Sequence, residues 1–169
     1  MNDSNTGREP NSVPRLLARA QARDALRLAA RTSVIKERGG ILVGFRDGTD
    51  ITVEDIIEVP DATARRTTYV RREHPAREAL NDYLKRTGSN DPVGYVGEWH
   101  THPAQVPLSR TDQHAMRTMA RKNRKPVALV VAALGTDKHS VNLHALISRP
   151  DTLRSRVAGH HSAAVVTVE

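Results

Sequence analysis

Gly94-Tyr95-Val96-Gly97-Glu98-Trp99-His100-Thr101-His102-Pro103 is an apolar stretch that ends in two histidines one residue apart. Residues i and i+2 of an extended strand share a face. The stretch therefore reads as a strand, Val93 to Trp99, that delivers His100 and His102 side by side at its C-terminal end while Thr101 faces away. Pro103 and Pro107 then break regular structure, and Ser109-Arg110-Thr111-Asp112 opens a helix over Arg110 to Lys122, with Ser109 as N-cap and Asp112 at the third position. Two imidazoles and a carboxylate make a three-ligand metal site, and a catalytic zinc typically keeps three protein ligands and leaves the fourth position to water. Each half also has an ordinary reading. Ser-x-x-Asp is a relative of the capping box, and a His-x-His taken alone is more often a pair of hydrogen-bonded surface residues than a ligand pair.

Working outward, Glu37-Arg38-Gly39-Gly40-Ile41-Leu42-Val43-Gly44-Phe45 is an apolar run opened by two glycines and closed by Asp47-Gly48. With Ile51 to Val59 it forms a hairpin of two strands. Arg15 to Arg31 is rich in Ala, Leu and Arg and predicts a first helix, and His74 to Arg86 predicts a second, stopped by Gly88-Ser89-Asn90-Asp91-Pro92. Val127 to Leu134 and Ser140 to Ile147, on either side of Gly135-Thr136-Asp137, resemble a last pair of strands. Helices interleaved with apolar strands give an α/β or α+β layer built on one mixed sheet flanked by helices. Residues 1–14 read as a flexible leader, 15–149 as the domain, and 150–169 as a tail whose Ala163 to Val168 suits an edge strand.

Composition narrows the chemistry. The 169 residues include no cysteine, which excludes disulfides, thiolate zinc sites and a Cys nucleophile and fits a reducing cytoplasm. Nucleobase deaminases need a Cys-x-x-Cys block and zincins a His-Glu-x-x-His helix; the chain has neither. No run of about 18 apolar residues occurs, so neither a membrane partner nor a spanning helix is expected. The net charge of +7 invites acidic partners. Arg15, Arg19, Arg23, Arg27 and Arg31, one every fourth residue, would form a slanting positive stripe on the first helix, either a solvated face or a dock for phosphates. Trp99 is expected to pack beneath the histidines and Glu98, on the face of His100, to support the metal from beside it. The six other histidines lack a partner at ligand spacing, save the adjacent His160-His161 pair in the tail.

Taken jointly, Glu37, His100-Thr101-His102 and Ser109-x-x-Asp112 resemble the JAMM motif of the JAB/MPN metalloproteases, and Glu37-x-Gly39-Gly40-Ile41-Leu42-x-Gly44 is similar to the strand carrying that family's catalytic glutamate. The resemblance covers about residues 20 to 148, and the stretch between His102 and Ser109 is one residue shorter than the usual family spacing. It implies the cytidine-deaminase-like MPN fold, with zinc at a strand end held by His100, His102 and Asp112. It also implies Glu37 as the base that moves a proton from water to the leaving amine, and Ser109 as a hydrogen-bond donor to the oxyanion. The implied activity is that of a deubiquitinase-like isopeptidase or peptidase that cuts after the C-terminus of a ubiquitin-like or similarly conjugated protein. Its implied setting is cytoplasmic, beside E1- and E2-like enzymes, including those of antiviral conjugation systems, with Arg65 to Arg72 as the sheet edge that receives the extended tail. Within the same family stand a hydrolase releasing cysteine from a sulfur-carrier protein and a noncatalytic or nucleic-acid-associated MPN module.

Overall fold

The computed structural model describes residues 13–88, 92–150 and the backbone of 163–166. In chain order the elements are β1 (Leu16–Ala18), α1 (Ala20–Arg31), β2 (Gly39–Asp47), β3 (Asp50–Glu58), α2 (Glu73–Thr87), β4 (Gly94–His102), α3 (Arg110–Asn123), β5 (Val127–Leu134), β6 (Val141–Ser148) and β7 (Ala163–Val166). The strands form one seven-stranded sheet in the order β1-β3-β2-β4-β5-β6-β7. The β1–β3 and β4–β5 pairs are parallel and the others antiparallel, so the expected mixed sheet is present. A parallel neighbour needs a crossover connection, and α3 supplies it between β4 and β5.

The sequence of β5, VALVVAAL, contains no polar residue, and every position is buried. That pattern belongs to a strand covered on both faces. One cover is α1, whose Ala22, Leu26, Ala29 and Ala30 pack with Leu42, Trp99, Val130 and Ile147. On the opposite face Met116 and Ala120 of α3 meet Leu129, Val131 and Leu146, and Ala76 of α2 meets Ile41 and Val43. The sheet is thus the middle of three layers.

The register of β4 against β2 shifts between Leu42 and Val43, which pair with Gly97 and Tyr95. This bulge resets the alternation. Val96, Trp99 and Thr101 are buried on the α1 side, whereas Glu98, His100 and His102 are partly exposed towards α2 and α3. Gly97 lies against β5 so closely that an added Cβ would run into the Ala128 carbonyl oxygen.

Three expectations need correction. The first helix begins at Ala20, not Arg15: Leu16–Ala18 is a short strand whose good helix formers are overruled by pairing with β3 and by burial of Leu16 and Ala18. The arginine row is consequently not one stripe. Arg15 is bonded to Asp50 at 3.3 Å, Arg19 to Glu54 at 3.1 Å, and Arg31 donates to the His139 carbonyl. The strand carrying the histidines also does not stop at Trp99 but runs through His102. Finally, Arg65 to Arg72 is not an edge strand; it is a loop with one isolated bridge, Arg65 to Thr68. The expected tail strand appears at Ala163–Val166, antiparallel to β6. Residues 1–12, 151–162 and 167–169, with His160-His161 and most of the leader and tail, lie outside the described residues. No helix among the described residues is long and apolar enough to cross a membrane.

Replacing Gly97 by Ala should force β4 and β5 apart and cost about 1–3 kcal/mol. Gly94→Ala, where an added Cβ meets nothing within 4 Å, serves as control. Thermal unfolding should show a lowered Tm for the first and an unchanged Tm for the second; equal transitions would remove the close β4–β5 approach as a constraint on the fold.

Candidate metal centre

The pleat of β4 turns the His100 and His102 side chains to one face, where they are 13% and 12% exposed. Their Nε2 atoms lie 3.1 Å apart. His102 Nδ1 is 2.7 Å from the Val106 carbonyl oxygen. A carbonyl only accepts, so Nδ1 carries the hydrogen and the neutral ring keeps its lone pair on Nε2, facing His100.

The third group comes from the first turn of α3. Ser109 is the N-cap in a full capping box: Asp112 N–H donates to Ser109 Oγ at 3.1 Å, and Asp112 Oδ2 accepts from both Ser109 N–H and Ser109 Oγ at 2.7 Å. This leaves Asp112 Oδ1 for the histidines, 3.6 Å from His100 Nε2. The ligand atoms of His100, His102 and Asp112 all lie within 4.8 Å of one another. Tetrahedral zinc with bonds of about 2.0–2.1 Å would set its ligand atoms about 3.3 Å apart. The His100–His102 and His100–Asp112 distances, 3.1 and 3.6 Å, bracket that spacing, so the donor set suits a zinc-sized cation.

Glu37 approaches from the segment between α1 and β2. Its side chain is 8% exposed, with Oε1 3.8 Å from His102 Nε2. Burial, aided by the negative charge of Asp112, pushes its pKa up to about 7. A cation on the histidines would draw that value down again. Burial lowers the pKa of His100, Asp112 works against it, and His102 lowers it further. The net effect favours the neutral imidazole that binds metal.

These groups line a cleft of about 570 Å³. The loop Arg66 to Val70 forms a further wall, fixed by buried Asp61, whose carboxylate accepts from Thr63 N–H, Thr63 Oγ1 and Val70 N–H. Tyr69 of this wall donates its hydroxyl hydrogen to the Val59 carbonyl at 2.8 Å. Its ring lies so near the start of β2 that a Cβ on Gly39 would fall 2.5 Å from it. Glu37 N–H donates to the Arg65 carbonyl at 2.8 Å, which joins the wall to the Glu37 segment.

All five residues singled out in the sequence, Glu37, His100, His102, Ser109 and Asp112, line this cleft. Trp99 is buried on the other side of the sheet, as expected, with Nε1 donating to the Ile57 carbonyl. Glu98 does not join the cluster. It shares the His100 face but is ion-paired with Arg71 at 2.5 Å. Sequence reasoning missed the Val106 carbonyl, which orients His102 through its backbone and leaves no side-chain signal. It also missed Asp61, whose position two residues before Thr63 was the one clue to a side chain folding a loop around itself.

A protein-family model described as prokaryotic homologs of the JAB domain matches residues 19–149. A Pseudomonas aeruginosa protein named CD-NTase/cGAS isopeptidase is 30% identical over 99 residues, covering 56% of this chain and 62% of its own. A Vibrio cholerae protein of the same name is 33% identical over 99 residues, 56% and 61% of the two chains. An Enterobacter hormaechei protein, also so named, is 32% identical over 122 residues, 68% and 64%. The chain thus spans just under two thirds of the length of these curated relatives. The solution structure of a Desulfitobacterium hafniense protein has the same fold, with a TM-score of 0.58 over 91% of this chain and 92% of that one at 15% identity.

Ser109→Ala removes the cap of α3 and should destabilise the protein by about 1 kcal/mol. Denaturant unfolding should show a lower midpoint at unchanged slope. An unaltered midpoint would mean that the capping box contributes nothing to α3.

Proposed function

We propose that this chain, which belongs to the family of prokaryotic homologs of the JAB domain, is a zinc-dependent isopeptidase or peptidase that releases a protein conjugated through its C-terminus. The observation that carries this reading is a buried carboxylate, Glu37, 3.8 Å from a nitrogen of a convergent His-His-Asp cluster that lines an open cleft. That combination gives both a metal seat and a base beside it.

His100, His102 and Asp112 would hold the ion. Zinc supplies a Lewis acid and a bound water acidic enough to attack near neutral pH. Glu37 accepts the proton of the attacking water on Oε1 and passes it to the leaving amine, acting as base and then as acid. Burial around the base keeps competing water away and strengthens its interactions. Ser109 is exposed and borders the cleft. Its hydroxyl hydrogen is committed to Asp112 Oδ2, so stabilising an oxyanion requires that the hydroxyl turn towards the substrate. Thr67 to Val70 line the same cleft and would border an extended tail lying in it.

The names of the curated relatives make an isopeptide adduct of a CD-NTase/cGAS protein the first substrate for assay, ahead of ubiquitin-like conjugates. The proposed setting is cytoplasmic, in an antiviral conjugation system with E1- and E2-like enzymes, and the working unit is residues 15–149 with a leader before it and a tail after it.

The test combines metal analysis with cleavage. Purified protein should contain about one zinc per chain and cleave such a conjugate. Chelation should abolish cleavage and zinc should restore it. Glu37→Gln should keep the zinc and lose about 10²–10⁴-fold in kcat, whereas His100→Ala should lose both. Zinc-loaded protein that cleaves neither a CD-NTase/cGAS conjugate nor a ubiquitin-like one would sink the isopeptidase reading and leave the sulfur-carrier or noncatalytic alternatives.

A further inference from the structure

We infer that Thr101 and Ser33 are positioning residues for Glu37, holding it against the metal ligands from the opposite face of the sheet; the inference rests on the proton-transfer role proposed for Glu37. Glu37 belongs to no helix or strand. Its own N–H is held by the Arg65 carbonyl, and the rest of its placement opposite His102 comes from anchors on the residues on either side of it.

Those anchors form a directed chain. Arg38 N–H donates to Thr101 Oγ1 at 3.0 Å, Thr101 Oγ1 donates to Ser33 Oγ at 2.8 Å, and Ser33 Oγ donates to the Lys36 carbonyl. The chain starts on the residue after Glu37 and ends on the residue before it. Thr101 N–H closes a second link by donating to the Arg38 carbonyl at 2.8 Å. Ser33 is itself tied to the end of α1 by its N–H to the Ala30 carbonyl at 3.1 Å. Both hydroxyls accept once and donate once, so neither is left wanting although Thr101 is 0% and Ser33 2% exposed.

Burying a hydroxyl is costly unless it is paired. At the Thr101 position, in mid-sheet on an apolar face, valine has the same shape and an equal liking for strands. A requirement for packing alone would be met by valine; the hydroxyl has work that valine cannot do, namely bracketing the Glu37 peptide. The location fits that work. Thr101 lies between His100 and His102, so the residue that fixes the Glu37 segment cannot shift without moving both ligands. A misplacement of about 1 Å in such a constellation can cost about 10²-fold in rate.

The test compares Thr101→Val, Ser33→Ala and the conservative Thr101→Ser with the parent. Amide hydrogen exchange, read without substrate, should be at least about tenfold faster at Arg38 in Thr101→Val while β5 stays as protected as before. With substrate, kcat should fall about 10–100-fold at nearly unchanged KM and about one zinc per chain. Thr101→Ser should restore both readouts. Should Thr101→Val not fold, Ser33→Ala, which cuts the link to the Lys36 carbonyl and leaves the Arg38 acceptor in place, is read by the same fall in kcat at about one zinc per chain. Parent-like Arg38 exchange in folded Thr101→Val, or parent-like kcat in either folded variant, would overturn the inference, as would a kcat loss no greater than the loss of folded protein. If the parent itself cleaves no conjugate, that counts against the isopeptidase reading, and the exchange of Arg38 still decides whether the two hydroxyls hold the segment.

Discussion

Successive side chains of a strand leave on opposite faces, and β4 uses that alternation to serve two layers at once. His100 and His102 face the cleft, while Trp99 and Thr101 enter the layer beneath α1. The strand can do this because it is central, paired with β2 on one side and β5 on the other, so its register is fixed along its whole length. A slip by one residue would bury both imidazoles and expose the tryptophan. The bulge opposite Leu42 and Val43 settles which residues face which way, and the close approach of Gly97 to Ala128 keeps the adjoining strand at the required distance.

The same economy recurs at α3. Asp112 uses one carboxylate oxygen to cap its own helix and presents the other to His100. A carboxylate in the first turn is favoured there by the helix dipole without any metal. The capping motif is therefore not a rival to the ligand reading. It is the means by which a flexible acidic side chain is held still, with a folding interaction and a chemical one drawn from the same group.

How far the sequence foretold this depends on which force dominated at each place. β5 was legible to the residue because burial on both faces demands an unbroken apolar run, and VALVVAAL is one. The five cleft residues were legible because ligand types at fixed spacings have few other uses in combination. Leu16–Ala18 was not, since local preference favours a helix and only pairing with β3 makes it a strand. The Arg15 to Arg31 stripe failed for a related reason: spacing on an assumed helix says nothing about Asp50 and Glu54, which arrive from β3. Glu98 was placed on the correct face, yet its partner Arg71 lies far away in the chain and no local pattern announces it. The alternation argument also assigned Thr101 to the far side correctly, but the hydroxyl of Ser33 waiting there is a purely tertiary fact.

The contact between Gly39 and Tyr69 has a bearing on how a site of this kind can change over generations. In the proposed reading His100, His102, Asp112 and Glu37 each serve as a particular chemical group at a particular point. The Arg66 to Val70 wall is different: its Tyr69 leans on Gly39, a position that has no side chain and is not one of those four residues. Exchange of atoms between Gly39 and residue 69 would thus alter what the cleft admits while leaving the proposed proton path and metal seat in place. Diversity of clients and constancy of chemistry then belong to different residues, and one lineage can drift in the first while selection holds the second.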